Sequence, residues 1–281
     1  NADDPFMREY LLEVAEYWIK TFDIDGWRLD VSNEISHDFW RAFRKRVRAA
    51  KDDVFILGEN WDQSEPWLMG DQHDSVMNYE FLYPMWAFFG KHEPYPMDAE
   101  TFANTIRDVM FTYPRPVIKN MFNIIDSHDT KRIARVMEED EALLKLVYTV
   151  QYLLPGTPSV YYGGEVGLSG EHDPDNRRCM IWDETRQSKI LKPFIRKLNH
   201  LYSIEPSFRL ATLDIVSTKA QALILRKGSL IALINRGTEA TSMKASALKG
   251  TYHDLLSDSA YEVEETLTLE PYALYLLKQP E

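Results

Sequence analysis

Five short apolar runs recur along the first two thirds of the chain, and four of them end in charged or aromatic residues. Ile24 to Val31 carries Trp27-Arg28-Leu29-Asp30. Val54 to Gly58 leads into Glu59-Asn60-Trp61. Ser75 to Tyr79 is the third run. Met121 to Asp126 leads into Ser127-His128-Asp129, and Pro158 to Tyr162 leads into Gly163-Gly164-Glu165. Amphipathic stretches separate them. Phe6, Tyr10, Leu11, Val14, Tyr17 and Trp18 recur at three- and four-residue spacing, which predicts a helix with that face inward. Asp3 or Asp4 is placed to cap it, with Pro5 in its first turn. Further helices are predicted over 36–50, 80–90, 98–112, 140–153 and 187–203. Strand and helix in alternation specify a parallel sheet covered by helices. The continuous run Val54-Phe-Ile-Leu-Gly58 is what a strand buried on both faces looks like.

The pattern changes after about Ser203. Short alternating runs follow at Ala222–Leu225, Leu230–Ile234, Tyr252–Leu255 and Tyr272–Leu277, with turn signals at Lys227-Gly-Ser and Arg236-Gly-Thr. These predict a small antiparallel β domain. The chain therefore divides into residues 1–205, α/β, and residues 206–281, all β.

Charge narrows the function. Lys plus Arg is 32 and Asp plus Glu is 44, a net −12, with no basic run. That argues against nucleic acid and against anionic membrane surfaces as partners. No stretch reaches the roughly 20 apolar residues of a membrane span. Cys179 is the one cysteine, which leaves neither an intrachain disulfide nor a cysteine metal cage.

Polar residues at strand C-termini are where a (β/α) barrel builds its active site. Three carboxylates converging there need a reason, because burying them is costly. Two carboxylates flanking a glycosidic bond supply nucleophile and acid/base. Asp30 suits the nucleophile, since Arg28 two residues away favours its ionised form. Glu59, less obviously paired, suits the acid/base. Asp129 is placed to stabilise positive charge on a sugar ring, and His128 to bond sugar hydroxyls. Taken singly, Arg28–Asp30 reads first as a structural ion pair, Glu59 as a solvated loop acid and His128-Asp129 as a helix cap. Trp27, Phe55 and Tyr79 read as core. The agreement of four strand ends carries the functional reading.

These blocks resemble the alpha-amylase family of glycoside hydrolases, family 13. Asp25-Gly-Trp-Arg-Leu-Asp30 resembles its nucleophile strand, Gly58-Glu59 its acid/base strand, Ser127-His-Asp-Thr130 the strand of its transition-state stabiliser, and Gly156–Glu165 its last barrel strand. Val31-Ser32-Asn33-Glu34 is similar to the Val-Ala-Asn-Glu run of neopullulanases, cyclomaltodextrinases and maltogenic amylases, with Ser32 adding a hydroxyl. Pro66-Trp-Leu68, Gly70-Asp-Gln72, Val76–Tyr79, Asp173-Pro174, Arg177 and Cys179–Asp183 point to the same group. The resemblance implies a retaining α-glycosidase acting on α-1,4- or α-1,6-glucans, maltooligosaccharides or cyclodextrins, by hydrolysis and transglycosylation. Asp30, Glu59 and Asp129 would be catalytic. Asp173 and Arg177 would bind the non-reducing sugar, and Glu34, Asn60 and Trp61 would line the acceptor side. For Asp173 and Arg177 a loop salt bridge is the competing reading.

The family's earlier strand ending Asp-x-x-x-x-Asn-His does not occur here. The expected fold is therefore the C-terminal portion, about five strands, of a TIM (β/α)8 barrel plus a C-terminal antiparallel β-sandwich. Residues 1–205 fall short of the ~250 typical of a full barrel. Asn1-Ala2 reads as a tag remnant and Asp3 as a start in mid-protein. An open barrel leaves two unpaired edges, which predicts that they are covered, by self-association or by a rearranged segment, and that the isolated chain is inactive. No cofactor is expected and no metal ligand is assigned, although calcium occurs in some amylases. Cytoplasmic residence is expected, with secretion as the alternative. The alternative is a catalytically silent relative serving as a binding subunit, against which the retention of all three carboxylates argues.

Overall fold

A computed structural model describes residues 1–279; the last two residues of the expected β domain lie outside that range. The first part runs α1 (Pro5–Phe22), β1 (Gly26–Leu29), α2 (His37–Ala50), β2 (Phe55–Gly58), β3 (Ser75–Val76), α3 (Tyr79–Phe89), α4 (Ala99–Thr112), α5 (Arg115–Ile118), β4 (Phe122–Asn123), α6 (Ile133–Val136), α7 (Glu141–Leu153), β5 (Thr157–Pro158), α8 (Leu191–Ile204) and α9 (Ser207–Leu210). Strands β1 to β5 are parallel and lie side by side in chain order. The pairs are Leu29↔Gly58, Gly58↔Val76, a single bridge Met77↔Phe122, and Phe122↔Thr157. Among the described residues, β1 and β5 each have a strand neighbour on one side only.

The strands are shorter than their apolar runs because side chains recruit the backbone for caps. The Asn78 side chain accepts the Phe81 N–H and starts α3, so Tyr79 becomes helical. Asp126 Oδ2 accepts the Ile133 N–H at 2.9 Å and Pro158 has no N–H to give. At the start of the chain, Asp4 Oδ1 accepts from Phe6 and Met7 and caps α1.

The inward face of α1 is not the expected one. Leu12, Ala15 and Ile19 are buried, packed with Phe39, Phe43 and Val47 of α2. Phe6, Tyr10, Leu11, Tyr17 and Trp18 are exposed, and Val14 is half-buried. A helix this rich in apolar residues has two candidate stripes, and α2 meets the smaller one. Of the three aromatics read as core, Tyr79 is buried, Trp27 half-buried and Phe55 exposed at the first position of β2.

The antiparallel strands are β6 (Leu213–Lys219), β7 (Ala222–Lys227), β8 (Leu230–Asn235), β9 (Thr241–Lys244), β10 (Gly250–Asp254), β11 (Ser259–Val263), β12 (Thr266–Leu269) and β13 (Leu274–Lys278). Six form one sheet in the order β11-β10-β13-β8-β7-β6, and β12-β9 form a second. Ile224, Ile231, Leu233 and Leu277 face Met243, Leu267 and Leu269 of the small sheet. Leu223, Leu225, Leu230 and Leu276 join the core that contains α7 and α8. Covered on both faces, β7 and β8 read as continuous apolar runs. Among the described residues, no helix is long and apolar enough to cross a membrane.

Candidate active site

Parallel pairing puts the carboxylates together. Leu29 pairs with Gly58, so Asp30 and Glu59 leave adjacent strands side by side. One guanidinium spans them: Arg28 Nη1 lies 2.5 Å from Asp30 Oδ1, and Arg28 Nη2 lies 2.9 Å from Glu59 Oε1. Their settings differ sharply, since the Asp30 side chain is 76% exposed and that of Glu59 is 3% exposed. The Arg28 hydrogen bond, reinforced by its charge and a bond with Glu59, holds the Asp30 carboxyl below its ordinary range. That agrees with the ionised state expected of it. Glu59, expected to be less obviously paired, is instead held on both oxygens, with the Val31 N–H at 3.0 Å from Oε2. The second partner was illegible because it is a backbone amide in a left-handed turn.

Asp129 lies on the loop after β4. His128 Nε2 is 3.0 Å from its Oδ2, and Arg177 Nη2 is 3.0 Å from its Oδ1. Arg177 Nε also meets Asp173 Oδ1 at 3.0 Å. The competing loop salt bridge is therefore present, and the same guanidinium also reaches Asp129. Asn176 holds the loops together. It is buried, and its Nδ2 donates to the carbonyls of His128 and Thr130, each at 2.7 Å. Beside it Arg132, fully buried, donates to the carbonyls of Asn176 and Tyr162. Neither residue carried a sequence signal beyond lying near a motif.

On the other side of Glu59, a cavity of about 420 Å³ is lined by residues that include Asn60, Trp61, Asn33 and Trp67. Trp61 stacks on Tyr79 with ring centres 4.5 Å apart and planes at 9°, and the Tyr79 hydroxyl meets Ser127 Oγ at 3.2 Å. Stacked, half-open indole faces suit apolar sugar faces. Asn60 and Trp61, expected on the acceptor side, both line this cavity. Glu34 is exposed on the short turn Ser32–Glu34 and is not among the residues lining the cavity, because that turn presents Asn33 instead.

Glu59, His128 and Asp129 each offer a metal-ligand atom within 4.8 Å of the others. One imidazole nitrogen and two carboxylates are not a calcium cage, which takes six to eight oxygens, so no calcium role attaches to these residues.

Parallel strands with carboxylates at their C-terminal ends, flanked by an aromatic cavity, define a site of the glycosidase class. The family model described as alpha amylase, catalytic domain, matches residues 1–212, and the chain belongs to the alpha-amylase family. It is 40% identical over 287 residues to a cyclomaltodextrinase from Geobacillus thermopakistaniensis, covering 98% of this chain and 48% of the relative. It is 41% identical over 198 residues to an intracellular maltogenic amylase from Bacillus subtilis strain 168, covering 70% of this chain and 33% of the relative. Among solved structures, the native form of the Nostoc punctiforme debranching enzyme matches 99% of this chain and 63% of its own length at 32% identity and a TM-score of 0.89. The chain thus spans about half the length of the cyclomaltodextrinase.

Proposed function

We propose that this chain carries the catalytic carboxylates of a retaining α-glycosidase acting on α-1,4- and α-1,6-glucans, maltooligosaccharides or cyclodextrins. Asp30 attacks the anomeric carbon. Glu59 protonates the leaving oxygen and then takes a proton from water, or from a sugar hydroxyl in transglycosylation. Asp129 stabilises the positive charge that develops on the ring, and His128, Asp173 and Arg177 bind the donor sugar. Two inversions give net retention. The observation carrying this reading is the single Arg28 guanidinium that spans Asp30 and Glu59. It supports the separation of about 5–5.5 Å that a retaining pair requires, against the about 6.5–9.5 Å of an inverting pair.

The five parallel strands are one arc of an eight-stranded barrel, and the strands between Leu213 and Lys278 form its C-terminal β-sandwich. With the remaining wall supplied, the protein hydrolyses these glucans and Asp30→Asn abolishes turnover; activity unaffected by that change refutes the assignment. The 281-residue chain alone, with Asp30 exposed, turns over little. Its substrates are cytoplasmic oligosaccharides, and cell fractionation tests that placement. Two copies cover the open side through the outer face of α1, where Trp18 and Phe22 stack at 4.8 Å while 43% and 56% exposed. Sedimentation should give a dimer that Trp18→Lys dissociates. A wild-type monomer at 100-fold dilution and at high concentration alike counts against it.

A further inference from the structure

Behind Glu59 lies a buried polar network that the chemistry above does not use. Val31 has φ 42° and ψ 49°, a left-handed backbone that a β-branched residue adopts only when its surroundings impose it. That turn is what delivers the Val31 N–H to Glu59 Oε2. The next residue, Ser32, is fully buried and bonded through every polar atom. Its N–H donates to the Glu59 carbonyl at 3.2 Å, and its own carbonyl accepts Trp40 Nε1 at 2.7 Å. Its hydroxyl donates to Asn60 Oδ1 at 2.5 Å and lies 3.1 Å from His73 Nε2.

A hydroxyl has one proton. Once it is given to the Asn60 carbonyl oxygen, His73 must be the donor, from Nε2. Its other nitrogen, Nδ1, is then the bare one, and that atom is buried without a partner. Burial holds the ring neutral, pushing its pKa down to about 4. The network presses on the strand that carries Glu59: a β-carbon on Gly58 would lie 2.5 Å from His73 Cδ2 and 2.8 Å from Ser32 Oγ.

We propose that Ser32 is a positioning residue for Glu59: its hydroxyl, fastened to His73 and Asn60, holds the left-handed Val31 turn whose amide grips the Glu59 carboxylate. The inference deepens the glycosidase reading and rests on Glu59 as the acid/base. The hydroxyl is also the group by which Val31-Ser32-Asn33-Glu34 departs from the similar Val-Ala-Asn-Glu run. An alanine at 32 would leave the Asn60 oxygen and the His73 N–H buried without partners, and the turn would lose its fastening.

The test is NMR on the full 281-residue chain labelled with ¹³C and ¹⁵N. The wild type should show neutral His73 with its proton on Nε2, and a protected Val31 amide. In Ser32→Ala that amide should exchange at least about tenfold faster, the loss of one hydrogen bond. The Glu59 carboxyl ¹³C resonance should move with it, while amides of α7 keep their protection. Should Ser32→Ala fail to fold, Ser32→Ala/His73→Phe, which leaves no orphaned imidazole donor, carries the same readouts. Unchanged Val31 exchange and an unmoved Glu59 resonance in the folded variant would overturn the proposal. None of these readouts needs turnover, so failure of the glycosidase reading appears separately, as retained activity in Asp30→Asn.

Discussion

Lys227→Met tests how the β domain is seated on the α/β part of the chain. Lys227 lies in β7, is 1% exposed, and donates from Nζ to the Leu154 carbonyl at 3.1 Å. Burial lowers its pKa to about 7 from the ordinary 10.5. Between those two values the unfolded chain binds more protons than the folded one, so stability rises with pH across that window. Below pH 7 the full cost of burying the ammonium is expressed, on the order of 5 kcal/mol from that shift at 1.36 kcal/mol per unit. Methionine removes this cost but strands the Leu154 carbonyl, at about 1–3 kcal/mol. The variant should therefore be the more stable protein at pH 6.5, by roughly 2–4 kcal/mol. The advantage should shrink by about 3 kcal/mol by pH 9.5 and reverse or vanish there. Urea unfolding of both proteins at matched pH measures it. A stability difference constant from pH 6.5 to 9.5 would refute the reasoning, whatever its sign.

His73→Phe should flatten acid sensitivity. The wild-type group has a folded pKa of about 4 against 6.5 unfolded, so its contribution is lost as pH falls through that window, up to about 3 kcal/mol, seen as a smaller drop in urea midpoint. Arg28→Lys keeps a charge but cannot span two carboxylates; in the proposed complete barrel, kcat should fall by roughly 10²-fold or more in a reducing-sugar assay. A loss under threefold would contradict the bridging role. Arg177→Ala should raise KM for maltotriose and lower kcat together, because it touches both Asp173 and Asp129; a pure KM effect would confine it to binding. Gly58→Ala should cost about 1–3 kcal/mol by overpacking against the His73 ring and Ser32, and thermal melting without a shift would contradict that contact.

Much of the site was legible because its chemistry is local. Arg28 and Asp30 are two residues apart on one strand, and His128 and Asp129 are neighbours. What was missed is non-local or carried by the backbone. The Val31 amide on Glu59 depends on a φ sign that no valine advertises. The Asn176 and Arg132 ties cross more than 40 residues of chain.

The alternation of the main strands and long helices in the first part was set by the sequence alone, since apolar periodicities translate directly into strand and helix, whereas β6, β9, β11 and β12 were not among the predicted runs. Also set by the sequence was the placement of Asp30, Glu59 and Asp129 after apolar runs at strand ends. Tertiary structure alone decided which stripe of α1 faces inward: a helical period marks faces but not what covers them. It also decided that one guanidinium serves both Asp30 and Glu59. That follows from the register Leu29↔Gly58, a property of two strands meeting and of neither strand by itself.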